Sequence, residues 1–262
     1  APALAGNAFV VGNNYLFFAG RKTAMRQRDI YRAVWVKQVI HWALCVMWAL
    51  EAAAARPTVA AAAEAQPPAK PWWQGSQAGI SDRVLPPWTA VEAAQGEVKL
   101  WGRTYRFDGP LPLPSAVQTR QKEVLAAPVT LVGKADGQEL HWTGARCKLV
   151  EARPSTARLA GLAESASLQC EGTIAVEYDG MIRCDLLLRP KQTSVTIEQL
   201  ALEMPMPSDH AKYFHFYPGR WGSSYNSRAL PPEGFRCEFK PFFWLGDQWR
   251  GLSWFSESDR NF

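Results

Sequence analysis

TIAVEYDGMIRCDLLL, from Thr173 to Leu188, decides the fold class of this chain. Ile174, Val176 and Tyr178 alternate before Asp179-Gly180, and Ile182, Cys184, Leu186 and Leu188 alternate after it. A period of two marks a half-buried strand, and Asp-Gly supplies the positive φ angles of a type I′ turn. The stretch therefore reads as a β-hairpin. Beyond it Val195 and Ile197 keep the alternation, whereas Leu200, Leu202 and Met204 fall on the opposite parity. One extra residue explains the slip and predicts a β-bulge near Glu198-Gln199.

The neighbouring segments follow suit. Pro128 to Val132 and Gln138 to Thr143 are two arms joined by Gly133-Lys134-Ala135-Asp136-Gly137, and Arg146 to Ala152 is a third arm. Glu97 to Phe107, EVKLWGRTYRF, is rich in strand formers and puts Trp101, Arg103, Tyr105 and Phe107 on one face. Pro110 to Pro114, PLPLP, must be extended, and its prolines cannot donate to a ladder. Only Ser208 to Phe216 suggests a short helix, with Ser208 as its cap. No alternation of strands with helices appears. The expected class is all-β, a two-sheet antiparallel β-sandwich, preceded by a helical leader.

Composition sets the outer limits. With 262 residues, 47% hydrophobic and 20% charged, the chain is that of a globular protein with a core. Its net charge of +5 is unevenly spread. Residues 1–56 hold 7 basic and 2 acidic side chains, which leaves 29 − 7 = 22 basic and 24 − 2 = 22 acidic in the remainder. A neutral body has no footprint for phosphate backbones, so nucleic acid is not an expected partner.

The charge of the leader has its own explanation. Arg26, Arg28, Arg32 and Lys37 precede the apolar run Val39 to Leu50, which leads into Ala52-Ala53-Ala54-Ala55. This is the order of a secretory signal peptide, expected over 25–55, and it implies a periplasmic or extracellular protein. An uncleaved anchor is the alternative, because the alanines could prolong the helix up to Pro57. Residues 1–24 are expected to be translated upstream sequence outside the fold. An Ala/Pro linker is expected over 56–71 and the β domain over 72–262. Beyond the leader's Cys45, the cysteines are Cys147, Cys170, Cys184 and Cys237. Export makes disulfides possible, with three pairings open, but a domain of this size does not need staples. Buried free thiols are the favoured alternative, and the spacings have no metal-ligand form.

The closing stretch, FFWLGDQWRGLSWFSESDR from Phe242 to Arg260, sets two aromatic runs around the polar turn Asp247-Gln248-Trp249-Arg250-Gly251. It predicts a hairpin with buried arms, ending near a domain junction. Together with Leu85-Pro86-Pro87-Trp88-Thr89, WGRTYRF from Trp101, LPLPS from Leu111 and Tyr178-Asp179-Gly180-Met181, it resembles the N-terminal β-sandwich domain of glycoside hydrolase family 123-like proteins. The resemblance covers residue 72 onward, and the closing motif is its most specific part. It implies a sandwich that precedes a catalytic (β/α)-barrel, on which a neighbouring Asp-Glu pair works with the substrate's own acetamido group as nucleophile. No barrel is recognisable here, so the resemblance carries over no catalytic residue.

Candidate site residues are therefore sought for binding. Glu257 and Asp259 share one face of the last strand, and two carboxylates in a row on one strand cannot flank a glycosidic bond. Their functional role would be to reach toward the barrel or its substrate; their structural one, a solvated strand end or a salt bridge to Arg250 or Arg260. Trp249 in the hairpin turn is the foremost candidate for stacking on sugar, followed by Trp221 and Tyr225 in the loop GRWGSSYNS. Trp244, Trp254, Phe243 and Phe255 are expected in the core. His141, His210 and His215 are expected to be structural. No phosphate loop or GxSxG elbow is present, and no cofactor or metal is expected. The sequence thus favours a non-catalytic β domain of an exported glycoside hydrolase, packed on the barrel and shaping its carbohydrate cleft. A free-standing carbohydrate-binding module is the alternative, and a purely structural envelope protein a third.

Overall fold

The computed structural model describes residues 71, 73–220 and 222–256, together with the backbone of four earlier strands, Ala8–Gly12, Tyr15–Ala19, Thr23–Arg26 and Tyr31–Ala33. Contacts divide the chain into two units, one of 1–36 with 82–262 and one of 37–81. In the described part of the smaller unit the backbone forms successive turns, closed by Gln74 N–H to Pro71 O and Ile80 N–H to Gln77 O.

The larger unit is all-β among its described residues, as the alternation demands, and every strand pairing is antiparallel. Its strands form four sheets rather than two. The first runs Gln138–Glu139, Thr130–Ala135, Ser194–Pro205, Tyr15–Ala19, Ala8–Gly12, Phe235–Glu238, with Thr23–Arg26 also paired to Ser194–Pro205. The second runs Lys148–Ala152, Thr156–Glu164, Leu168–Glu177, Ile182–Pro190, Tyr31–Ala33. The third runs Ser227–Ala229, Tyr213–Tyr217, Phe242–Gly246, Gly251–Phe255. The fourth runs Glu92–Ala94, Glu97–Leu100, Arg103–Arg106, Ala116–Thr119, Lys122–Glu123.

The strands Ala8–Gly12, Tyr15–Ala19, Thr23–Arg26 and Tyr31–Ala33 pair within the first two sheets, while most of the expected helical leader lies outside the described residues. The runs AFVVG and YLFFA have the β-branched and aromatic content that suits a paired strand. The apolar run 39–50 lies outside the described residues.

Local chemistry explains most element boundaries. The hairpin of Thr173–Leu188 is present and longer, pairing Leu168–Glu177 with Ile182–Pro190. Its turn is not type I′: of Asp179 and Gly180, only Gly180 has a positive φ, at 97°. Gly180 N–H donates to Glu177 O and Glu177 N–H to Met181 O, both at 2.9 Å, which makes a three-residue loop ending on a left-handed glycine. The bulge is where parity put it. Lys134 faces Gln199 and Ala135 faces Ile197, so Glu198 is the residue without a partner. Its carboxylate instead accepts the Gly137 N–H at 3.1 Å.

Two expectations are corrected. Glu97–Phe107 is not one strand but a hairpin in which Leu100 pairs with Arg103 across Trp101-Gly102, with Gly102 at a φ of 70°. Ser208–Phe216 is not a helix. Residues 208–210 form a turn whose His210 N–H reaches Pro207 O, and Tyr213–Tyr217 is a strand. YFHFY alternates in burial, so the period of two overrides the local capping cue.

The core gathers the inward side of these strands, with Phe107, Leu159, Ile174, Phe214, Phe216 and Phe243 fully buried. Each such side chain contributes about 1.5–3 kcal/mol relative to exposure. Leu111 to Pro114 of the PLPLP tract are buried as well. A Cβ at Gly172 would collide with the Pro112 ring, and one at Gly161 would stand 3.1 Å from Pro112 Cβ. Those glycines form the seat of the proline. The four cysteines Cys147, Cys170, Cys184 and Cys237 are free thiols.

Candidate functional site

The third sheet is the most aromatic, and its register sorts the rings into two faces. Phe214 pairs with Leu245 and then Leu252, and Phe216 with Phe243 and then Trp254. Phe214, Phe216, Phe243 and Leu245 are buried on this inner face, with the Phe214 and Phe243 centroids 6.2 Å apart and nearly parallel. Side chains alternate along a strand, so the intervening residues point the other way. Their rows are Tyr217–Phe242–Phe255, His215–Trp244–Ser253 and Tyr213–Gly246–Gly251.

This outer face is only partly covered. Tyr217 is 63% exposed, Tyr213 and Phe255 are each 37% exposed, and His215, Phe242 and Trp244 are half-buried. Trp244 is held by the glycine pair beside it. A Cβ on Gly251 would come within 2.5 Å of Trp244 Nε1, and one on Gly246 within 2.6 Å of Trp244 Cζ2. The bare backbone of the two facing glycines is the slot in which the indole lies. Trp244 and Phe255 thus belong to the outer face, while Phe243 and Trp254 take the core side as expected.

Above the Tyr213 row the turn is built around Asp247. Its Oδ1 accepts the N–H groups of Trp249 at 2.7 Å and Arg250 at 2.8 Å, and its Oδ2 meets His210 Nδ1 at 2.9 Å. Arg250 Nε lies 3.7 Å from the same Oδ2. Burial pushes the Asp247 carboxyl upward, but the two backbone donors, His210 and the Arg250 charge outweigh it and hold its pKa below the ordinary 3.8. The turn presents Trp249 at 82% exposure, and Gln248 donates to the Tyr213 hydroxyl at 3.3 Å. This bracing was not anticipated from sequence. An Asp followed two residues later by the turn apex is the signal of such a cap.

Of the expected sugar-stacking residues, the two described, Trp249 and Tyr225, are not brought together. Tyr225 is 57% exposed and sits edge-on to Phe216, 5.4 Å away, on the inner side of the sheet. Its loop follows Tyr217, at the opposite end of the strands from Trp249. Four residue steps along Tyr213–Tyr217 separate the two ends, about 13 Å. Trp221, Glu257 and Asp259 lie outside the described residues. His210 has the structural role expected of it, while His215 belongs to the outer face.

The outer-face side chains named above are mainly aromatic, with His215 among them. Ring faces of this kind receive the C–H surface of a sugar or the apolar side chains of an adjoining domain. Among the described residues no group of three or more His, Cys, Asp or Glu could hold a metal ion. A family model described as Glycoside hydrolase 123, third domain, matches residues 91–255. It covers all of the third and fourth sheets and agrees with the sequence resemblance, though it counts this domain third where the resemblance placed it N-terminal. No curated protein matches the chain.

Proposed function

The chain belongs to the glycoside hydrolase 123 family, and from that premise we propose that it supplies a non-catalytic β domain that packs on a catalytic barrel through the outer face of its aromatic sheet. The observation that carries this reading is the face itself: Tyr217, Phe242 and Phe255 in one cross-strand row, with Tyr217 63% exposed. Contiguous exposed aromatics mark interaction surfaces more often than solvated ones. In this reading the first and second sheets act as the layers of a sandwich, and Trp249 at the far end of the face borders the carbohydrate cleft. Export also belongs to the proposal, on the strength of the basic-then-apolar leader 25–55; cleavage there would take the strands Ala8–Gly12 to Tyr31–Ala33 out of their sheets, so sequencing the N-terminus of secreted protein tests both.

The test is association with the separately produced barrel of the same protein. Tyr217→Asp should leave the circular dichroism spectrum unchanged, since the side chain is largely exposed, and should weaken association at least tenfold. Undiminished association would remove the docking role. A carbohydrate-binding module is the second reading, favoured by the braced, exposed Trp249. It requires glycan affinity from the isolated chain that Trp249→Ala abolishes.

A further inference from the structure

We propose that the cavity of about 460 Å³ between the Asp179–Met181 hairpin tip and the Gly251–Phe255 strand is a binding site for a hydrocarbon chain. Gly251, Ser253 and Phe255 of its wall also belong to the outer face of the aromatic sheet, but its buried floor does not. All four sheets contribute to its wall. The floor is made by Val117, Leu125, Val129, Leu131, Leu202 and Met204, every one of them buried. Asp179, Met181, Ser253 and Phe255 are exposed lining residues and mark the mouth. The volume falls within the roughly 300–1,000 Å³ usual for ligand pockets.

Two polar side chains of the wall, Arg103 and Tyr105, are already committed. Arg103 Nη1 donates to Asp179 O at 2.6 Å, and the Tyr105 hydroxyl to Gly180 O at 2.9 Å, so both hold the hairpin tip in place. Among the described residues, the buried floor has no polar side chain to meet a ligand hydroxyl. Each sugar hydroxyl placed there would give up its hydrogen bonds to water and find none in their place. An alkyl chain gives up no hydrogen bonds by entering, and it supplies the dispersion contacts that an unfilled cavity lacks. Met181 and Met204, one at the mouth and one on the floor, have the adaptable side chains that suit a flexible chain. Such a chain arrives either as a free fatty acid or as the aglycone of an alkyl glycoside.

The full chain labelled with ¹³C at its methionine methyls tests the site. Decanoate, decyl glucoside and glucose are titrated separately, below the micellar range. The Met181 and Met204 signals should shift saturably with at least one alkyl compound and not with glucose, and the tighter of the two identifies the source. Leu252→Trp, which fills the cavity from its half-buried wall, should lower that affinity at least tenfold. Ile182→Trp takes its place if the first variant does not fold. An absence of saturable shift at Met204, an equal response to glucose, or undiminished affinity in a folded filled variant would each overturn the proposal. The first of these is also what a cavity occupied by this chain's own residues would give.

Discussion

Gly251→Ala is the perturbation that tests the aromatic sheet most directly. Gly251 carries no positive φ, so alanine fits its backbone, and on conformational entropy alone the change should stabilise the fold by about 0.4–1 kcal/mol. The slot predicts the opposite sign. The new Cβ would stand 2.5 Å from Trp244 Nε1, 2.8 Å from Trp244 Cε2 and 2.7 Å from Leu245 O. Either the indole leaves its seat or the strands part, and overpacking of this kind costs about 1–3 kcal/mol. With the entropic gain subtracted, the midpoints of the two ranges leave a net loss of about 1 kcal/mol, or roughly 2–4 °C in Tm. Urea unfolding followed by far-ultraviolet circular dichroism measures it without relying on tryptophan emission. The decisive control is Trp244→Ala, since two of the three close contacts are to that ring. In its background the alanine penalty should shrink by about 1 kcal/mol. A neutral or stabilising Gly251→Ala, or a penalty unchanged without the indole, would refute the slot.

Two further outcomes follow from the titratable groups. The Asp247 carboxyl is held below its ordinary 3.8, so its stabilisation is complete above that value and fades as the pH falls through its folded-state pKa. Asp247→Asn should therefore lose stability at neutral pH, with a gap to wild type that narrows on acidification below 3.8; a gap that widens contradicts the cap. Burial pushes the thiols of Cys170 and Cys237 up to about 12 and that of Cys147 up to about 11. Mass spectrometry after iodoacetamide treatment at neutral pH should find these three unmodified in the native chain and modified in denaturant.

What the sequence made legible depended on unbroken alternation. Ile174 to Leu188 and the parity change at Leu200 led straight to a hairpin and a bulge, because a period of two admits few other structures. Ser208 misled because a capping side chain is a local cue, whereas the alternation of Tyr213 to Tyr217 reflects burial on a sheet. The EVKLWGRTYRF stretch misled differently, since one positive-φ glycine, Gly102, turns a long strand into two. The exposure of Trp249 was legible from its turn, and the core-side position of Phe243 and Trp254 from their hydrophobicity. Trp244 and Phe255 were not, since composition cannot tell which face of a strand a partner will leave open. Gly246 and Gly251 gave no sign of their role until the register set them opposite one another.

The PLPLP segment has a consequence for how a chain can cross a protein interior. A stretch of backbone taken out of water must normally find acceptors for all its amide hydrogens, which is why most crossings are made by ladder strands or helices. Here every second residue brings no amide hydrogen at all, and Leu113 N–H is satisfied by Leu111 O at 2.8 Å. The tract thus enters the core with almost nothing to satisfy, and it needs no neighbouring strand to do so. Replacing those prolines with residues of equal hydrophobicity would keep the packing while creating orphaned donors, so here imino acid identity matters more than side-chain size.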